Sequence, residues 1–262
     1  MEAYVSACGI RVYYEAEGSG KAVVLIHGNG LSHGQWKLNI KPFSKYYKVY
    51  APDLPGFGQS DKPDVEYGVR YYVEFLRSFM DALGMERAAI VGSSMGGAIA
   101  TVFASLYKDR VSGLVLCDPT GFVPDAIARN KELYNAFIGL MIRSRRLYCR
   151  PMFYNSSAMK LLGGTDMVTD SKESRDAFMK NCKAILRYDP EYVKSLMSIT
   201  APTLIIWGED DLLLPSDDAE KYKRLISNSR VKIIPYCGHM PNVERHEEFN
   251  SAVLSFLGGI KH

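Results

Sequence analysis

The sequence predicts an α/β protein: a mostly parallel, doubly wound sheet of about eight strands, interrupted once by an inserted helical cap. Three observations carry this. Continuous apolar runs of strand length alternate with amphipathic helical stretches through the first 119 residues, the pattern of strands buried on both faces and joined by helices. One run breaks on Gly92-Ser93-Ser94-Met95-Gly96 and continues as a small-residue helix. From about 120 to 200 no parallel strand stands out, and the strand pattern then resumes. The partition is a core of residues 1–119 and 201–262, with a cap of 120–200 inserted after the sixth strand. A chain of 262 residues, 47% of them hydrophobic, can bury one large core with room for such an insertion.

Residues 4–7 and 10–17 alternate as an antiparallel edge pair, joined by Cys8-Gly9 and closed by Gly18-Ser19-Gly20. The apolar run 22–26 is the first doubly buried strand and ends in His27-Gly28-Asn29-Gly30. A helix over 35–44, a strand over 48–51, a Pro/Gly-rich loop over 53–63 and a long helix over 69–83 lead to the strand at 88–93. The strand 111–117 ends on Asp118-Pro119. Helical segments rich in Tyr134, Phe137, Met141, Met152, Phe153, Met159, Phe178 and Met179 follow, with Gly163-Gly164-Thr165-Asp166 as a turn. The core returns with strands at 203–207 and 231–235 and a last helix over 247–257.

The strand-to-helix break marks Ser94 as a candidate nucleophile. A sharp turn there lifts a serine clear of the sheet, open to a base on one side and a carbonyl on the other. Glycine at 92 and 96 follows from the same geometry, since a Cβ at either would collide as the helix folds back. The Met95 N–H and the positive helix end point at an oxygen that becomes negative during acyl transfer. His27-Gly28-Asn29-Gly30 fits an oxyanion loop, in which the Asn29 N–H is the second donor. A nucleotide-loop reading of Gly28, Gly30 and Gly34, with Asp53 ending the next strand, has one residue too many for the dinucleotide fingerprint. His27 comes too early for the base and is expected to brace its loop. The strand 203–207 runs into three acids, Glu209, Asp210 and Asp211, and the last strand runs into His239. Nucleophile, acid and histidine stand in the order that this type of elbow requires.

Lysines and arginines are interspersed with acids and the net charge is only +3, which leaves no nucleic-acid footprint. The run Arg143-Ser144-Arg145-Arg146-Leu147-Tyr148-Cys149-Arg150 is expected to be a solvated face. No apolar stretch reaches membrane-spanning length, so no membrane partner is expected and the location predicted is cytoplasmic. Five cysteines, odd in number and without C-x-x-C spacing, fit reduced buried thiols. His246-Glu247-Glu248-Phe249-Asn250 starts like a zinc helix but lacks the second histidine, and neither a metal nor an organic cofactor is expected.

Four motifs, HGNG at 27–30, DLPGFGQSDKP at 53–63, GSSMGG at 92–97, and WGEDDLLLP at 207–215 followed by CGHMPNVE at 237–244, resemble the capped α/β-hydrolase fold superfamily along nearly the whole chain. The resemblance implies a triad of Ser94, Asp211 and His239, with W-G-x-x-D choosing Asp211 among the three acids, and backbone donors at Asn29 and Met95. Asp118 sits where some relatives keep an alternative acid. Phe137, Met141, Met152, Phe153 and Met240 are the expected pocket lining. The implied activity is hydrolysis of short- to medium-chain carboxylic esters, with a small-molecule ester as partner and a monomer or homodimer as the assembly. The alternatives are a carbon–carbon bond (vinylogous diketone) hydrolase or lactonase with the same triad, and a ligand-binding member without turnover. Carbon–carbon hydrolases of this fold typically carry G-S-G-P-G after the first histidine and Trp after the catalytic one, where this chain has Asn29-Gly30-Leu31 and Met240. Aminopeptidase-like relatives have Trp at the position of Met95.

Overall fold

A computed structural model of the chain describes residues 2–122, 132, 152–155, 158, 171–185 and 190–260. Strands β1 (Glu2–Ala7), β2 (Ile10–Glu17), β3 (Ala22–Ile26), β4 (Lys48–Pro52), β5 (Ala88–Ser93), β6 (Val111–Cys117), β7 (Thr203–Gly208) and β8 (Ser229–Ile234) form one sheet. Its order is β1-β2-β4-β3-β5-β6-β7-β8. The first two strands are an antiparallel pair, and β2 joins β4 antiparallel; every other pairing is parallel.

Alternation within the central strands decides which side chains face which layer. Val24, Ile26, Ile90, Leu114 and Leu116 pack on one face with Phe75 and Phe79 of α2 (Val69–Ala82) and Phe103 of α3 (Met95–Leu106). Val23, Leu25, Val91, Val115 and Ile206 pack on the other with Ile40 and Phe43 of α1 (Lys37–Ser44) and with Phe249, Val253 and Leu257 from the last helix, His246–Gly258. Both faces are thus covered, and each central strand is buried almost end to end, as its uninterrupted apolar sequence requires. Truncating one of these buried leucines or isoleucines to alanine should cost about 2–5 kcal/mol.

Two of the boundaries that differ from expectation have a visible local cause. The first helix is preceded by a 3-10 turn over His33–Trp36, because the Ser32 hydroxyl accepts the Gly34 N–H at 3.3 Å and turns the chain early. The final strand begins at Ser229, not 231, since Ser229 and Arg230 already pair with Thr203 and Leu204, and it stops before Pro235, which has no N–H to give.

Between β6 and β7 the structure describes two helices, α4 (Lys172–Ile185) and α5 (Pro190–Ser198). Ala177, Phe178, Cys182, Tyr192 and Leu196 of these helices join the core cluster of α2 and α3. Phe137, Met141, the arginine run at 143–150 and the turn at 163–166 lie outside the described residues. Among the described residues no helix is long and apolar enough to cross a membrane.

Candidate active site

The chain leaves β5 and enters α3 through Ser94, whose φ of 53° and ψ of −118° are strained for a residue with a Cβ. Hydrogen bonds hold that conformation from both sides. The Ser94 N–H donates to Cys117 O at 2.9 Å, and Ser94 O accepts from Gly97 N at 2.9 Å and Thr120 N at 3.1 Å. The neighbouring glycines are steric necessities. A Cβ on Gly92 would overlap the Gly96 carbonyl, and one on Gly96 would overlap the Ile26 carbonyl at the end of β3. Met95 is the first residue of α3, so its N–H has no acceptor within the helix.

Of the three adjacent acids, Asp211 meets the histidine: its Oδ2 lies 2.6 Å from His239 Nδ1. Asp211 Oδ1 accepts the N–H groups of Leu213 at 2.8 Å and Leu214 at 3.0 Å, which lock the carboxylate's orientation. Burial pulls the His239 imidazole down, but the Asp211 charge and hydrogen bond outweigh it, and the ring lies above the ordinary histidine value. Asp118 is the third member of this buried group; ligand-type atoms of Asp118, Asp211 and His239 lie within 4.8 Å of one another. It does not bond the imidazole. Its Oδ1 accepts the Gly208 N–H at 2.9 Å, and its Oδ2 faces Cys117 Sγ at 3.2 Å. Burial, with Asp211 beside it, pushes the Asp118 carboxyl well up and favours its protonated form.

The loop after β3 runs against Ser94. A Cβ on Gly28 would stand 3.4 Å from Ser94 Cβ. His27 braces this loop, as expected: its Nε2 accepts the Leu54 N–H at 2.9 Å, so Nδ1 carries the proton and donates to Gly28 O at 2.8 Å. Burial pulls its pKa down to about 4, which keeps the ring neutral. The sequence reading missed Gln35. Its Oε1 accepts the Gly28 N–H at 2.9 Å and its Nε2 donates to Ser93 Oγ at 2.8 Å, tying the loop to the elbow. It also missed Asn242, whose Nδ2 donates to Gln35 O at 2.9 Å and links the histidine loop to the same brace. The only sequence signal was a pair of amides close to the HGNG and GHMP motifs.

Met152, Phe153 and Met240 come together with Leu31 and Val243 in one buried cluster. It joins the loop after β3, residues 152–153 and the histidine loop. Glu244 pins the same seam: its Oε1 accepts the Gly238 N–H at 2.9 Å and its Oε2 the Asn155 N–H at 3.0 Å. On the other side, the Asn29 side chain reaches α4 and donates to Phe178 O at 3.3 Å.

A strained serine at a strand-to-helix turn, a buried Asp–His pair and a loop beside the serine define the serine hydrolases of the α/β type. Residues 23–252 match the alpha/beta hydrolase family, and the chain belongs to it. It is 32% identical over 268 residues to a 2-hydroxy-6-oxo-6-(2'-aminophenyl)hexa-2,4-dienoic acid hydrolase of Metapseudomonas resinovorans, covering 98% of this chain and 91% of that protein. It is 33% identical over 264 residues to a 2-hydroxy-6-oxononadienedioate/2-hydroxy-6-oxononatrienedioate hydrolase of Paraburkholderia phymatum, covering 95% and 91%. Among solved structures it resembles a membrane phospholipase A described as a bacterial virulence factor, with a TM-score of 0.84, 30% identity, and coverage of 99% of this chain and 86% of that one.

Proposed function

We propose that this chain is a serine hydrolase of vinylogous diketo acids, cleaving the carbon–carbon bond next to the 6-ketone of a 2-hydroxy-6-oxohexa-2,4-dienoate. One observation carries the choice: the similarity to hydrolases of such compounds extends over 94–98% of the chain at 30–33% identity. Ester hydrolysis, the reading that the motifs alone favoured, is the second candidate, supported by the likeness to the phospholipase A. Among the described residues no lysine or arginine is buried, which suits an uncharged ester; the arginines of 143–150 lie outside those residues.

The residues suit either reaction. His239 takes the Ser94 proton as Oγ adds to the carbonyl carbon, Asp211 holds the imidazole tautomer and offsets its charge, and the N–H groups of Asn29 and Met95 receive the oxyanion. With a dienoate, ketonisation first moves a proton from the 2-hydroxyl to C5. Collapse of the tetrahedral adduct then breaks C5–C6, the electron pair leaves as a dienolate conjugated to the 2-ketone, and a proton restores the hydroxydienoate product. Water releases the acyl group from Ser94 as a carboxylic acid.

The test is kcat/KM for 2-hydroxy-6-oxo-6-phenylhexa-2,4-dienoate beside a p-nitrophenyl ester series of two to twelve carbons, with Ser94→Ala as control. Turnover of the dienoate faster than any ester is expected, with both activities lost in Ser94→Ala. Ester turnover with an inert dienoate would reverse the choice.

A further inference from the structure

Four buried polar side chains meet where the loop after β3 faces α4: Asn29, Tyr72, Asn181 and Cys182. Their donors and acceptors follow by elimination. Phe178 O is a carbonyl and can only accept, so the end of Asn29 facing it at 3.3 Å is the NH2. The other end of Asn29 is therefore Oδ1, and the Asn181 atom 3.3 Å from it must be the donor Nδ2. That Nδ2 also donates to Tyr72 Oη at 2.9 Å, whose own proton goes to Pro55 O at 3.2 Å. What remains is Asn181 Oδ1, an acceptor without a partner among the described residues, on a side chain only 1% exposed. Buried polar atoms are nearly always satisfied, so an orphaned amide oxygen at this place calls for a donor. The place itself is informative, because the loop that carries Asn29 passes beside Ser94 at Gly28.

We propose that Asn181 is a specificity-determining residue whose Oδ1 accepts a hydrogen bond from a substrate hydroxyl, the 2-hydroxyl if the substrate is a hydroxydienoate. The identity of that group rests on the proposed function; the polarity of the contact does not. An amide oxygen repels a carboxylate, so the acid end of such a substrate is held elsewhere.

Ser94→Ala protein is titrated with 2-hydroxy-6-oxo-6-phenylhexa-2,4-dienoate and with its 2-deoxy analogue, and again with Asn181→Ala or Asn181→Leu added. The hydroxyl compound should bind about tenfold tighter than the deoxy compound, the worth of one well-placed hydrogen bond to an otherwise unsatisfied acceptor. That ratio should fall to about one in both double variants. A ratio near one in the Ser94→Ala parent, or a ratio that survives both substitutions, overturns the proposal. If neither dienoate binds, the proposed function fails by itself. Asn181 is then read from kcat/KM for p-nitrophenyl 3-hydroxybutanoate against the butanoate, where the same preference and its loss in Asn181→Ala are expected, and no preference refutes it.

Discussion

Replacing Asp211 by asparagine changes two atoms' chemistry and almost nothing of the shape. In the folded protein Oδ1 accepts two backbone N–H groups, from Leu213 and Leu214, and Oδ2 faces His239 Nδ1 at 2.6 Å. Asparagine must keep its oxygen on the two backbone donors, because turning the NH2 towards them would set donor against donor. The NH2 then faces His239 Nδ1, which has to present its lone pair, and the ring proton moves to Nε2. In the proposed reaction that is the atom needed to take the Ser94 proton, so the imidazole is held in the wrong tautomer. By analogy with serine proteases kcat should fall about 10⁴-fold, or about 5 kcal/mol in the barrier. Asp118 cannot restore the tautomer from its position on the Gly208 N–H. The assay is kcat on the best substrate, with thermal unfolding to verify the fold, and with Glu209→Gln and Asp210→Asn expected to stay within about threefold of the parent. A folded Asp211→Asn protein that loses less than about tenfold would refute the orientation argument.

Because the proposed reaction needs a neutral His239 and Asp211 holds it above the ordinary histidine value, kcat/KM should rise with pH to a half-maximum above about 6.5. A half-maximum below pH 6 would contradict it. His27 is buried and neutral, with its pKa lowered from 6.5 to about 4, so the unfolded chain binds the extra proton in that window. Its share of stability is therefore complete above pH 6.5 and is lost as pH falls towards 4, by about 3 kcal/mol. Denaturant unfolding of His27→Gln should show a shallower acid loss than the parent, and equal slopes would exclude the assignment. Glu244→Gln turns an NH2 towards either the Gly238 or the Asn155 N–H, each of which now meets a carboxylate oxygen. A stability loss of about 1–3 kcal/mol, with a lowered kcat from a looser His239 loop, is expected from melting curves and steady-state rates.

Local patterns in the sequence determined the sheet, its parallel character and the elbow. Uninterrupted apolar runs such as 22–26 and 88–91 have no solvent-facing side, so they must lie between two helical layers. Gly92 and Gly96 report a close approach that only a backbone without Cβ permits. The order of Ser94, the acids and His239 is likewise a property of the chain. Which acid meets the imidazole was not legible from the run 209–211 itself. The motif resemblance pointed to Asp211, and the turn at Leu213 and Leu214 supplies the reason by holding one carboxylate edge and leaving the other for His239. The roles of Gln35, Asn242 and Asn181 were not legible in the sequence, because each acts on residues brought near by the fold alone: Gln35 on Ser93, Asn242 on Gln35, Asn181 on Asn29. Periodicity records which face of an element is apolar; the hydrogen-bond partner of a buried amide is chosen by whichever strand or helix tertiary packing sets beside it, and that choice belongs to the tertiary structure.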